Sequence, residues 1–303
     1  MLRNLAVSVA LTISVLAFSQ KREMLTILKA EPQVVQQHLI PPPATQKERL
    51  RALSIQFRKA RDYGLGPVEV QPIPDKPEPN VICTIQGTTE STIIIGADAG
   101  YNVTGEEGKI RWANLVLLPL VAESLGPVAP RHTLVFIAFS GDHGKHSGAN
   151  WYLHQLTDAQ LKHVDAVIEL YDLGQTPAAF APNAKGGQLF RPLLGVARGL
   201  KLEEPQLRPV NRVLLGTQWT GPLAEEFELS KIPGITIHSL PRVPIPGKEI
   251  NGHKFYRGDG SFDFSVYYDS YVLVSMYLRQ LDRLIGARPQ EHPATDKLPP
   301  ATN

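Results

Sequence analysis

The sequence predicts an α/β fold: a mostly parallel central sheet flanked by helices on both faces, in three layers. Three observations predict it. Residues 92–97, 133–139, 164–170 and 234–240 are short β-branched and aromatic runs, of the kind buried on both faces of a parallel sheet. Longer segments with helical periodicity lie between them, so strands and helices alternate. Several strand runs end in polar or glycine-bearing loops, at 98–109, 140–150 and 171–174. In open α/β sheets ligands bind at the carboxyl ends of the strands, which makes these loops the place to look for chemistry.

In chain order, Arg3, the uncharged apolar run 5–18 and Ala17-Phe18-Ser19 at cleavage-site spacing read as a signal peptide over residues 1–19. The run is shorter than the roughly 20 apolar residues that span a bilayer, which favours a cleaved leader over a retained anchor. The expected localisation is therefore exported, periplasmic or extracellular, with no membrane contact beyond this segment. Residues 20–44 are weakly periodic, end in Pro41-Pro42-Pro43 and read as a poorly fixed linker. A single α/β domain is expected over 45–287. Thr45 and Glu48 have capping-box spacing ahead of Leu50, Leu53, Phe57 and Ala60 at helical intervals, and Gly64 and Gly66 stop that helix. A short strand at 68–71 precedes two runs, 80–85 and 92–97, that read as a hairpin-connected pair around the turn 87–90. A helix over 111–125, the strand 133–139, a helix through 151–156 and a short helix capped by Thr157 follow. After the strand 164–170 come a loop, a helix over 187–200, a strand at 210–215, a helix around 223–227 and the strand 234–240. Residues 241–260, rich in Pro and Gly, read as a long functional loop. An amphipathic helix over 264–285 closes the domain, and the polar, Pro-containing 288–303 reads as a disordered tail.

A chain of 303 residues with 43% hydrophobic and 20% charged residues has ordinary globular composition and is long enough for one large core. A net charge of +2 without a Lys/Arg run excludes a nucleic-acid footprint. Cys83 is the only cysteine, so intrachain disulfides are excluded, and its apolar strand makes it a buried, inert thiol. The absence of a Gly-x-Ser-x-Gly elbow and of a phosphate-cradling glycine fingerprint argues against a serine hydrolase and a nucleotide-binding protein.

The segments NVICTIQG, IIIGAD, WANLVLLPLVAESL, RHTLVFIAF with GDHGKHSGANWYL, IELYDLG and IPGITIHSL resemble, in order and wording, the dinuclear zinc aminopeptidases of metallopeptidase family twenty-eight, clan MH. The resemblance implies a zinc-aminopeptidase-like, phosphorylase/hydrolase-like fold. It also implies two zinc ions above the carboxyl edge of the sheet, held by a His, a bridging Asp, a Glu, a second Asp and a second His, with an adjacent Glu as general base. Two dications need several anionic oxygens and neutral imidazoles, and a carboxylate near the shared water to take its proton. Carried over position by position, the first His falls on Asp98 and the Asp two residues on falls on Gly100. The bridging Asp falls on Ile110, the base-and-ligand Glu pair on Asp142 and His143, and the second Asp on Tyr171 with Asp172 one step further. The last His has His253 as its loop candidate. Isoleucine cannot ligate, and one step along an extended strand reverses the side chain, so Asp172 does not simply replace the residue expected at 171.

Two readings follow. In the first, the protein is an exported aminopeptidase homologue with its ligands largely replaced, a pseudoenzyme that holds no cofactor and binds a peptide or protein. Tyr101, Trp112, Tyr171 and Trp219 then either line the former cleft or pack in the core. In the second, it is a divergent mononuclear metallopeptidase, with Asp98, His143, Asp172 and His253 as candidate zinc ligands and Asp142 in the general-base position. His143 and His146 are spaced to share a metal, or stand as surface histidines of a glycine-rich loop. His132 and His238 read as hydrogen-bonded residues at the core edge, and His154 and His163 as solvent-facing.

Overall fold

The computed structural model describes residues 27–60, 66–100, 105–141, 147–208, 210, 222–240, 243–250, 253–257 and 261–286, with the backbone alone for 243–257. Pro32–Leu39 form α1 and Gln46–Lys59 form α2. Thr45 caps α2 through the reciprocal bonds of a capping box with Glu48, as the spacing predicts. Then come β1 (Val68–Gln71), β2 (Asn80–Ile85), β3 (Thr92–Asp98), α3 (Gly105–Ser124), β4 (Thr133–Phe139), α4 (Ser147–Gln155) and α5 (Asp158–Lys162), the last under a second capping box from Thr157. The chain continues through β5 (Val164–Tyr171), β6 (Ala179–Pro182), α6 (Phe190–Leu200), β7 (Gln206–Leu207), α7 (Pro222–Leu229) and β8 (Gly234–His238). It closes with β9 (Val243–Ile250), β10 (His253–Arg257) and α8 (Phe264–Leu284), which Asp263 caps at its amino end.

The large sheet has the order β1-β2-β4-β3-β5-β8-β6-β7. Its centre, β4-β3-β5-β8, is parallel throughout, while β1–β2, β2–β4 and β6–β8 pair antiparallel. Alternation along β3 divides the core in two. Ile93 and Ile95 face one layer, packed with Phe57, Leu117 and Tyr271 from α2, α3 and α8. Ile94 faces the other, with Tyr152 of α4 and Phe227 of α7. Both faces of the central strands are therefore covered, and their sequences read as continuous apolar runs for that reason.

Four expectations are corrected. Runs 80–85 and 92–97 are not a hairpin pair, because β4 lies between β2 and β3. Residues 87–89 cross the amino end of β4 instead, where Thr88 and Thr89 backbone amides bond to Pro130 and Arg131 carbonyls. A Cβ on Gly87 would come within 2.2 Å of the His132 carbonyl carbon, so only glycine allows that crossing. Residues 241–260 are not simply a loop, since β9 and β10 pair antiparallel within them. The expected linker contains α1, whose Val35 and Leu39 are buried in the main core. The loop expected after the strand 164–170 carries β6, an added strand beside β8. The signal peptide, most of the 210–215 strand and the carboxyl-terminal tail lie outside the described residues. Among the described residues no helix is long and apolar enough to cross a membrane. Cys83 is a buried thiol in β2, in no disulfide, as its apolar strand implies, and its Sγ donates to the Gly66 carbonyl at 3.7 Å.

Candidate functional site

The parallel register brings the ends of β3, β4 and β5 to one edge, with Asp98 level with Phe139 and Ala97 level with Leu170. Two guanidinium groups converge there. Arg49 of α2 is fully buried, although it sits on the same helical face as Leu50, Leu53 and Phe57. Its Nε donates to the Ala99 carbonyl at 3.0 Å, its Nη2 to the Gly100 carbonyl at 3.2 Å, and its Nη1 to Ala44 and Pro43 carbonyls at 3.2 and 3.3 Å. Neutral carbonyls thus satisfy the buried fork while Asp98 supplies the nearby countercharge. Burial pushes Arg49 below the usual arginine range, Asp98 opposes that, and Arg111 adds to it. The Asp98 Oδ1 accepts from the Gly100 amide at 2.8 Å, so Arg49 and Asp98 together hold the turn that leaves β3.

Arg111, one residue after Ile110 in α3, places its Nη1 3.2 Å from Asp172 Oδ1 and its Cζ 5.0 Å from the centre of the Tyr171 ring. The two charged side chains are only 14% and 15% exposed, which makes this a nearly desolvated pair and not a surface contact. Burial works against the charged guanidinium, but Asp172 foremost, then Tyr171 and Asp98, outweigh it and hold Arg111 above its usual range. Asp172 reaches this position through its backbone. Its φ of 47° is left-handed, so the chain swings as it leaves β5, and its carbonyl is fixed by Ser239 Oγ and Gln175 Nε2, each at 3.2 Å.

The expected site residues fare differently. Ile110 is buried at 6% exposure. Asp98 stands at the edge beside Gly141, where an added Cβ would lie 2.7 Å from its Oδ1, so the strand-end loop passes directly against that carboxylate. Asp172 is at the same edge, engaged by Arg111. Asp142, His143 and His146 lie outside the described residues, as do Tyr101 and Trp219. His253 opens β10 opposite Ile250, with its side chain outside the description. Of the aromatic pair that is described, Trp112 is 2% exposed and belongs to the main core, while Tyr171 packs under the Arg111 guanidinium.

Among the described residues no three His, Cys, Asp or Glu side chains come together as a metal-ligating group. The described donors do not fit a dinuclear zinc centre. The position where the resemblance puts the bridging Asp is the buried Ile110, Tyr171 stacks on a cation, and the adjacent Asp172 carboxylate is paired with a guanidinium that would repel two dications. Arg49 and Arg111 did not stand out in the sequence. Their one signal is a charged residue beside apolar helical positions, at 49 among Leu50, Leu53 and Phe57 and at 111 before the uncharged run 112–122.

Three other buried ionisable groups complete the picture. Glu169, inside β5, accepts from the Leu223 and Ala224 amides at the start of α7 and from Thr236 Oγ1. Burial pushes its carboxyl up to about 7 against those bonds. His238 donates from Nε2 to the Arg208 carbonyl at 2.9 Å, and burial pushes it down to about 4, so it is a neutral core-edge histidine. His132, at the opposite end of the sheet, lies between Asp282 and Asp165.

No family model matches the chain, and no curated protein matches it. Solved structures do. The glutaminyl cyclase of Macrostomum lignano superposes with a TM-score of 0.62 at 16% identity, over 86% of this chain and 91% of that one. The LapA aminopeptidase of Legionella pneumophila superposes at 0.58 with 11% identity, over 82% and 70%. The fold is that of the zinc aminopeptidases and glutaminyl cyclases. BSAP, a zinc aminopeptidase from Bacillus subtilis, aligns at 0.51 with 12% identity over 66% of this chain, which spans about half, 49%, of that longer protein. At such identities the likeness carries the architecture and leaves the chemistry to the residues at the strand ends. The aminopeptidase-like α/β fold expected from the sequence is thus the one observed, and glutaminyl cyclases share it.

Proposed function

We propose that this is an exported protein of zinc-aminopeptidase fold whose metal ligands are largely replaced, and that it binds a peptide or protein at the carboxyl edge of the sheet without hydrolysing it. The Arg111–Asp172 pair on Tyr171 carries this reading. It puts a protein-borne cation beside the positions where the resemblance calls for anionic ligands to two metals. A guanidinium stacked on an aromatic ring is a recognition element for carboxylates and peptide carbonyls, and it needs no metal to act. Arg49 and Asp98 would then serve the site by fixing the turn after β3.

A second reading, a divergent mononuclear metallopeptidase, draws on one observation. Asp98 abuts Gly141, and the next two residues of the chain are Asp142 and His143. In this reading Asp98 and His143 are among the candidate ligands of a single zinc and Asp142 stands in the general-base position. Metal content by plasma mass spectrometry, after dialysis against trace zinc, separates the readings when combined with assays for release of amino-terminal residues and for cyclisation of amino-terminal glutamine. The expected result is well below one zinc per chain and no metal-dependent turnover. About one zinc per chain, lost on Asp142→Ala/His143→Ala substitution, would establish the second reading, and about two would overturn both.

A further inference from the structure

From the end of the sheet remote from the candidate site, we infer that the amino edge docks on an anionic lipid surface, which leaves the carboxyl edge facing away from the membrane. β5 runs from one edge to the other, and its eight residues span about 23 Å at the rise of an extended strand. Three large apolar side chains are exposed at the amino edge, Leu28 at 55%, Val128 at 63% and Leu284 at 58%. Leu28 lies beside Gly126, where an added Cβ would meet its Cδ1 at 3.1 Å, and Val128 follows in the same turn after α3. Arg131, next along, donates from Nη1 to the Arg283 carbonyl at 2.9 Å, and Leu284 is the last residue of α8. Leu284 also walls a cavity of about 510 Å³ whose lining includes Lys162 and Lys231. The apolar tips and the basic side chains thus share one surface.

Grouped exposed apolar side chains mark an interaction surface, and charge selects the partner. Arg131, Lys162, Lys231 and Arg283 are all exposed. The carboxylates of this edge lie mostly deeper: Asp282 is buried, and Asp165 and Glu123 are half-buried. Glu90 and Asp158 are exposed, with His163 3.7 Å from the Glu90 carboxylate, and the four cations outweigh them. A second copy of the chain would set like charges against each other. A lipid surface with anionic headgroups accepts both features, because apolar tips enter the headgroup boundary while lysine and arginine meet phosphate. The course of the chain agrees. The Leu28 amide donates to the Ser124 carbonyl at 2.7 Å, and the Tyr271 and Tyr268 hydroxyls bond the Ala30 amide and carbonyl at 3.0 and 2.9 Å. The chain therefore enters the domain at the amino edge, and the apolar leader read over residues 5–18 precedes it on that side.

The test adds phosphatidylcholine vesicles, with and without phosphatidylglycerol, to the protein as recovered from cells. A polarity-sensitive thiol dye on Val128→Cys reads the amino edge, and the same dye on Glu106→Cys, in the exposed first turn of α3, reads the carboxyl edge; the buried Cys83 stays unlabelled. The expected result is a blue shift at 128 and none at 106, on the phosphatidylglycerol vesicles, reversed by high salt. Lys162→Gln/Lys231→Gln should weaken partitioning about twentyfold, roughly fivefold for each cation. Val128→Ser/Leu284→Ser, also exposed positions, should weaken it about tenfold. Equal binding to both lipids without response to the lysine substitutions would assign the contact to the apolar leader alone. A shift at 106 would put the other edge on the membrane, and lysine-dependent binding to poly-L-glutamate without binding to vesicles would assign the patch to a protein partner. Each of these results, or no vesicle binding at all, would overturn the proposal.

Discussion

Replacing Asp172 by Asn removes the charge of the pair at the candidate site and keeps the side chain's size. Asparagine tolerates the left-handed φ of 47° that this position requires, and the bonds from Ser239 and Gln175 go to the backbone carbonyl, which the substitution retains. What is lost is the carboxylate 3.2 Å from Arg111. Removing one partner of a buried pair costs about 3–5 kcal/mol when the remaining charge is left uncompensated, and here Glu107, 3.8 Å from the Arg111 guanidinium, and Asp98 still offset part of it. Exposures of 14% and 15% admit some water, so the lower end, about 3 kcal/mol, applies. In a domain of this size each kcal/mol moves Tm by about 2–4 °C, which gives a loss of about 6–12 °C for Asp172→Asn. Arg111→Met should cost a similar amount, and the double variant should recover much of the sum, since the uncompensated charge is gone and the methylene stem still packs on Tyr171. Circular-dichroism melts of the four proteins, with zinc content measured on each, provide the assay. A Tm within about 2 °C of the parent for Asp172→Asn would refute the buried-pair reasoning. A fall in bound zinc with that substitution would make Asp172 a ligand and refute it differently.

Two predictions concern pH. The Glu169 carboxyl stands at about 7 in the fold against a usual 4.5, so the unfolded chain ionises first and the fold loses stability as pH rises between those values. The difference, 7 minus 4.5, amounts to about 3 kcal/mol, and Glu169→Gln should remove that much of the stability change between pH 4 and pH 8 in chemical denaturation; an unchanged slope would show that the fold leaves the Glu169 carboxyl in its ordinary range. At His132, burial disfavours the imidazolium, but its bonds to Asp165 and Asp282 outweigh burial and raise it. That contribution is fully present below the ordinary imidazole range and is lost as pH rises through the raised value. Asp282, held low by His132 despite burial, contributes above the ordinary carboxylate range and loses that contribution as pH falls through its lowered value. An NMR titration of the His132 ring should give a midpoint above that of a free imidazole, moved down by Asp282→Asn, and a midpoint below it in the parent would contradict the array.

Much of the architecture was legible because burial on two faces leaves a direct mark. The continuous apolar runs of β3, β4, β5 and β8 announce central parallel strands, and the Thr45 and Thr157 caps announce helix starts to the residue. The hairpin reading of 80–85 and 92–97 failed because pairing partners are not encoded by either run. They are decided by β4, some 40 residues on, entering between them. β9 and β10 were hidden by prolines, which mark an edge hairpin as readily as they mark a loop.

At the site, the sequence by itself determined which residue types stand where the resemblance puts metal ligands, an isoleucine at 110 and a tyrosine at 171. Only the tertiary structure decided what surrounds those positions. A left-handed backbone at Asp172 turns its carboxylate onto a guanidinium from α3, and a second guanidinium from α2 is buried under the turn after β3. Likewise residues 132, 165 and 282 form one array across 150 positions of chain. Spacing along the chain records local periodicity, whereas the meeting of distant charges is set by the packing of helices on the sheet and by the cost of leaving any of those charges unpaired.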